Sequence, residues 1–184
     1  MNLIIEQGNS STKLAIYNKE GAMQASSTCK DFSPSALEPL FEQYDLQQGI
    51  MSTVREPEPE LLSLLDKRLP HFIFLDESLA LPFKVGYQTL QTLGKDRLAA
   101  VAGAHYLRPG QDILVIDAGT AITYELLEAS GIYVGGNISP GMTTRFRALN
   151  HFTQKLPLLQ EEEAELPLIG YNTKTAIQAG VVNG

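Results

Sequence analysis

A single cysteine, Cys29, is all the thiol chemistry this chain of 184 residues holds. An intramolecular disulfide is therefore impossible, which suits a reducing, cytoplasmic setting. Cys29 is followed by Lys30 and has no histidine nearby in sequence, so it reads as an inert thiol. The three histidines, His71, His105 and His151, lie far apart without metal-ligand spacing. No stretch approaches the ~18 apolar residues that a membrane span needs. The opening Met1-Asn2-Leu3-Ile4-Ile5 runs straight into Glu6, without the basic start of a signal peptide, and reads as a first strand. Basic charge is scarce too: 14 Lys and Arg stand against 21 Asp and Glu, a formal net charge of -7. A field of that sign argues against nucleic acid or an anionic membrane as main partner. Phosphate ligands stay open, because backbone amides and a metal ion can hold them.

What is present is an apolar fraction of 43%, enough for one large domain or two small ones with a real core. Apolar runs at residues 3–5, 13–17, 50–54 and 72–75 read as strands, and so do those at 113–116, 122–127 and 132–138. Helical periodicity marks residues 35–44, 58–69, 94–107, 143–150 and the stretch from Thr173. In the third of these, Leu98, Ala99, Val101, Ala102 and Tyr106 are available for burial. The run Glu161-Glu162-Glu163-Ala164-Glu165 reads as a solvated face. Arg108-Pro109-Gly110 is the strongest internal break and divides the chain into residues 1–111 and 112–184. Alternating strands and helices give an α/β protein.

The two parts open alike. Leu3-Ile4-Ile5-Glu6-Gln7-Gly8-Asn9-Ser10-Ser11-Thr12-Lys13 is echoed by Leu114-Val115-Ile116-Asp117-Ala118-Gly119-Thr120-Ala121-Ile122-Thr123-Tyr124. In each, a strand ends in a carboxylate, and Gly with small polar residues follows before a second strand. Gly lets the backbone turn tightly and lets an anion approach. Successive N–H groups and hydroxyls can then grip phosphate oxygens. The carboxylate would repel phosphate, so its sensible role is to hold a cation that touches it. Either hairpin alone is compatible with an ordinary turn. The pair points to a clamp on a polyphosphate. A Walker-type loop at Gly94-Lys95 is excluded, because Thr89 and Asp96 occupy positions where that pattern needs Gly and Ser or Thr.

These residues resemble the type III pantothenate kinases. Glu6-Gln7-Gly8-Asn9-Ser10 looks like their first phosphate motif, and Gly94-Lys95-Asp96-Arg97 like their Gly-x-Asp-Arg substrate motif. Asp117-Ala118-Gly119-Thr120-Ala121-Ile122-Thr123 resembles the second phosphate motif, and Gly135-Gly136-Asn137-Ile138-Ser139-Pro140-Gly141 the turn that follows it. Ile169-Gly170-Tyr171-Asn172-Thr173 resembles the opening of a late helix. The resemblance implies two ribonuclease H-like halves, as in actin-like ATPases, with a cleft between them. It implies a homodimer with the active site near the subunit interface, and ATP-dependent phosphorylation of pantothenate, the first step towards coenzyme A. It further implies Mg²⁺ and a monovalent cation, K⁺ or NH₄⁺. Residues 6–13 and Thr120 would bind ATP, with Glu6 near Mg²⁺ indirectly and Asp117 at the monovalent cation. Tyr87, Gly94, Lys95, Asp96, Arg97 and Thr173 would bind pantothenate, Thr173 from the neighbouring subunit, and Asp96 would be the catalytic base.

Two departures stand out. Glu6 replaces the family's Asp, and its extra methylene moves the carboxylate by roughly 1.5 Å, against about 0.5 Å that catalytic constellations tolerate. Family members also continue past the point where this chain stops, so the second half is expected to be truncated. Both departures keep a rival reading open, a catalytically weak or inactive accessory homologue. A phosphoanhydride hydrolase of the same fold group is a further rival, and the Gly94-Lys95-Asp96-Arg97 motif argues against it.

Overall fold

The computed structural model describes residues 1–30, 32–76, 78–162 and 165–184. Glu163 and Ala164 of the acidic run lie outside the described residues. The described residues form a mixed α/β structure with two sheets.

Alternation at the N-terminus sets the first hairpin. β1 (Asn2–Gln7) buries Leu3 and Ile5, and β2 (Thr12–Tyr17) buries Leu14 and Ile16. A period of two places Glu6 on the face opposite to Leu3 and Ile5. The antiparallel register sets Glu6 against Lys13. β3 (Met23–Cys29) adds antiparallel to β2. The helix expected at residues 35–44 begins as a 3₁₀ turn, Pro34–Leu37, before α1 (Glu38–Gln43). β4 (Gln48–Thr53) pairs parallel with β1, α2 (Pro59–Arg68) crosses over, and β5 (His71–Phe74) lies parallel to β4. The order is β3-β2-β1-β4-β5. Leu61 and Leu65 of α2 are fully buried with Leu3, Ile5, Leu37 and Met51 in the core of this sheet. Burying each such side chain contributes about 1.5–3 kcal/mol, so this helix is held by its apolar face.

The second sheet has the order β6-β9-β8-β7. β6 (Lys84–Val85) precedes α3 (Lys95–Leu107), and then come β7 (Ile113–Ala118), β8 (Ala121–Leu127) and β9 (Ile132–Pro140). The last three form the expected antiparallel meander, and β6 joins parallel to β9. α4 (Met142–Phe152) and α5 (Thr173–Asn183) pack together around Phe146, Ile177 and Val181. α5 starts at a capping box of Asn172 and Thr175, which satisfies two backbone donors that a helix end otherwise leaves open.

α3 lies against β7 and β8 and also touches β4, so it bridges the two sheets. Its Leu98 and Val101 join Phe83, Leu93, Leu127 and Tyr133 in one core. Residues from Phe83 onward pack with the second sheet, because β6 pairs with β9 and the apolar face of α3 needs β7 and β8 for burial. Tyr106, expected to be available for burial, is 84% exposed at the end of α3.

Close strand packing explains one glycine. A Cβ at Gly136 in β9 would overlap the Tyr124 carbonyl oxygen and the Glu125 carboxylate of β8. Gly136→Ala is expected to destabilise the protein by about 1–3 kcal/mol, the usual cost of overpacking. In a thermal melt that is roughly 2–4 °C for each kcal/mol. An unchanged melting temperature would show that these strands part freely.

Candidate active site

The two echoing hairpins meet tip to tip. In the β1–β2 loop, the Gly8 amide donates to the Ser11 carbonyl at 2.9 Å. In the β7–β8 turn, the Gly119 amide donates to the Ala121 carbonyl at 2.9 Å. Across the gap the Ser10 and Thr120 hydroxyls lie 3.1 Å apart, within hydrogen-bond reach. The start of α4 props the second turn, since the Gly141 amide and the Thr144 hydroxyl both donate to the Thr120 carbonyl. A Cβ at Gly141 would overlap the Gly119 carbonyl, so only glycine allows this approach.

Between the tips lies a cavity of about 220 Å³. Glu6, Gly8, Asn9, Ser10, Ser11 and Lys13 line it from the first hairpin, Asp117, Gly119, Thr120 and Thr123 from the second, and Asp96 from α3. Drug-sized pockets run to about 300–1,000 Å³, so this space suits a polyphosphate tail rather than a whole nucleotide.

Its charges are mostly anionic. Lys13 Nζ stands 3.1 Å from Glu6 Oε2, and both side chains are solvent-accessible. Among the described residues that line the cavity, this one ammonium stands with three carboxylates, Glu6, Asp96 and Asp117. Among the described residues no three His, Cys, Asp or Glu side chains converge as a ready metal cage. A lining of oxygen donors without a closed cage fits Mg²⁺, which keeps several waters and is held by one or two carboxylates together with substrate phosphates. Asp96 sits in the first turn of α3, where the helix dipole favours a carboxylate. Its Oδ1 accepts the Arg97 amide at 2.8 Å.

Not every expected residue faces this space. Gln7 and Thr12 are buried on the other face of the hairpin, as the period of two dictates. Gly94 caps α3 and Lys95 begins it. Arg97 turns inward. Its Nε donates to Glu125 Oε1 at 2.6 Å, and its Nη2 donates to Glu125 Oε2 at 2.8 Å and to the Tyr133 hydroxyl at 3.2 Å. Tyr133 in turn donates to Glu125 Oε2 at 2.5 Å. Tyr87 does not line the cavity either. It stacks on Tyr133, and the Arg97 guanidinium stands 5.5 Å from its ring centre. The bonds to Glu125 hold Arg97 protonated beyond even its ordinary range. Burial first, and the Glu125 bond second, push the Tyr133 hydroxyl up. Of the guanidinium expected to meet substrate, Nε and Nη2 are thus engaged by a buried carboxylate. Thr173 lines a separate, mainly apolar cavity of about 1100 Å³ between α4 and α5.

Sequence reasoning passed over Glu125, Tyr133, Val54 and Arg55 as site residues. Glu125 had a legible signal, a lone carboxylate in the apolar run of β8. Arg55 had none; it follows β4 in an exposed Pro-rich stretch.

The sequence profile described as type III pantothenate kinase matches residues 2–184. The type III pantothenate kinase of Phocaeicola vulgatus is 46% identical over 184 residues, which cover all of this chain and 75% of that protein. The one from Bacteroides fragilis YCH46 is 43% identical with the same coverage. Among solved structures, a Campylobacter jejuni protein described as a candidate Baf family transcriptional activator shares 26% identity at a TM-score of 0.60, covering 97% of this chain and 73% of that one. A candidate 2-dehydro-3-deoxygalactonokinase from Sinorhizobium meliloti is similar in fold at a TM-score of 0.50 and 14% identity, covering 83% of this chain and 58% of that one.

Proposed function

The chain belongs to the type III pantothenate kinase family, and from that premise we propose how the cavity between the two sheets divides its work. The reaction is phosphorylation of pantothenate by ATP with a divalent metal, in coenzyme A biosynthesis. The reading of the site stands on one observation above all: the hydroxyls of Ser10 and Thr120 meet across a cavity that Asp96 also lines.

The first loop, Gly8 to Ser11 with Lys13, grips the phosphate tail through backbone amides, hydroxyls and one ammonium, and Thr120 closes on it from the other side. Asp96 accepts the proton of the pantothenate hydroxyl as that oxygen attacks the γ-phosphorus and the bond to the β–γ bridging oxygen breaks, releasing ADP. Pantothenate lies along the start of α3, at Gly94, Lys95 and Asp96, with Tyr87 nearby. Glu6 would hold Mg²⁺ indirectly, through water, and Asp117 would hold a monovalent cation, K⁺ or NH₄⁺. The metal, when bound, supplies neutralisation of the phosphate charge. Phosphoryl transfer asks the protein mainly for this positioning and charge balance.

Two ribonuclease H-like halves with the cleft between them are the architecture we propose. The β3-β2-β1-β4-β5 order, with an antiparallel β1–β3 meander and parallel β4 and β5, supports it. We further propose a homodimer in which Thr173 of a neighbouring subunit reaches the pantothenate site. Exposed Leu168, Ile169 and Tyr171 beside Thr173 support such a contact.

Direct chromatography of ADP tests the reaction. ADP formation is expected to depend on pantothenate, and to rise when Na⁺ is replaced by K⁺ or NH₄⁺. ADP release indifferent to pantothenate would overturn the assignment.

A further inference from the structure

Arg55 lies just past the end of β4 and belongs to neither hairpin. Its Nε donates to the Gly8 carbonyl at 2.7 Å, and its Nη2 donates to the Asn9 carbonyl at 2.9 Å. One planar fork thus holds two successive peptide groups of the first loop. The main chain that carries the fork is itself held: the Thr53 hydroxyl accepts the Arg55 backbone amide at 3.0 Å and donates to its carbonyl at 3.2 Å. The Val54 amide donates to the Gln7 carbonyl at 3.0 Å, which carries the β1–β4 pairing one step beyond the strand.

Peptide planarity gives this contact a consequence. In a trans peptide the N–H points opposite to the C=O of the same unit. With the Gly8 and Asn9 carbonyls turned onto Arg55, the Asn9 and Ser10 amides point the other way. Gly8, Asn9 and Ser10 all line the cavity. Among the described residues neither amide donates to a backbone carbonyl. Two adjacent donors without a backbone acceptor form an anion-binding nest.

Resting on the phosphate-loop reading above, we propose that Arg55 is a positioning residue: it draws two carbonyls backwards so that the Asn9 and Ser10 amides face the nucleotide's phosphates. The guanidinium acts through the backbone rather than by touching ligand. Charge alone does not suffice for this, because lysine is a point donor that cannot span two carbonyls in one plane.

The test uses Arg55→Ala and Arg55→Lys in the full chain. Mg-ADP binding is titrated by calorimetry, and the KM values for ATP and pantothenate are measured beside thermal melts. Losing roughly one charge-assisted hydrogen bond's worth of orientation corresponds to about a tenfold weaker Kd for ADP and KM for ATP. Both variants are expected to show it, with KM for pantothenate within about twofold and the melting temperature nearly unchanged. A lysine variant that binds ADP like the parent would overturn the proposal in favour of simple charge attraction. Melting temperatures that fall while ADP affinity holds would reduce Arg55 to a surface brace. Calorimetry keeps the two readings apart. A parent chain without pantothenate-dependent turnover sinks the assigned chemistry, while the ADP titrations still decide the role of Arg55.

Discussion

Replacing Asp96 by asparagine is expected to lower kcat for pantothenate phosphorylation by about 10²–10⁴-fold, the range a lost general base commands. The substitution is nearly isosteric. The amide oxygen of asparagine still accepts the Arg97 N–H that Asp96 Oδ1 now accepts, so the first turn of α3 keeps its geometry. The cavity also loses one of its three carboxylates, which would if anything favour an incoming polyphosphate. Steady-state kinetics with a melt as control decide the matter. A variant that retains more than about a tenth of the parent kcat, less than the lower bound for base catalysis, would remove Asp96 from the chemistry.

Truncating Glu125 to alanine should destabilise the fold by about 3–5 kcal/mol, because it strands a buried guanidinium without its counter-charge. The carboxylate is wholly buried and the Arg97 side chain nearly so, and water cannot replace the lost partner. Two Arg97 donors and the Tyr133 hydroxyl lose their acceptors together. Against a typical total of about 5–15 kcal/mol, that loss brings the chain near its unfolding threshold. Glu125→Gln keeps an amide oxygen for one of these donors and should fall between parent and alanine variant in urea unfolding. A shift below about 1 kcal/mol for the alanine change, the worth of a surface pair, would mean that the cluster is wet.

Much of the architecture was legible because it follows from patterns of apolar residues. Leu98 and Val101 announced α3, and Leu61 and Leu65 announced α2. β3 was not legible: Met23-Gln24-Ala25-Ser26-Ser27-Thr28-Cys29 has no apolar alternation, and its strand exists because β2 offers it a free edge. β6 is two residues long and is likewise set by its neighbour, β9. In the site, the carboxylate-and-glycine turns could be read because local chemistry defines them. Arg97 could not, since its orientation depends on Glu125, 28 positions away. Arg55 lay further out of reach, because its partners are carbonyl oxygens, which every residue type carries.

The ion pair between Glu6 and Lys13 bears on how a triphosphate would be received. The ammonium is already engaged, so an arriving phosphate must displace an incumbent rather than capture a bare charge. Nucleotide association at this lysine is then an exchange of one anion for another. Added salt weakens both partnerships, which leaves the balance between them less sensitive to ionic strength than the count of charges suggests. On such a footing the extra methylene of Glu6 acquires a meaning: a longer arm can swing aside with its carboxylate while the strand beneath it stays paired.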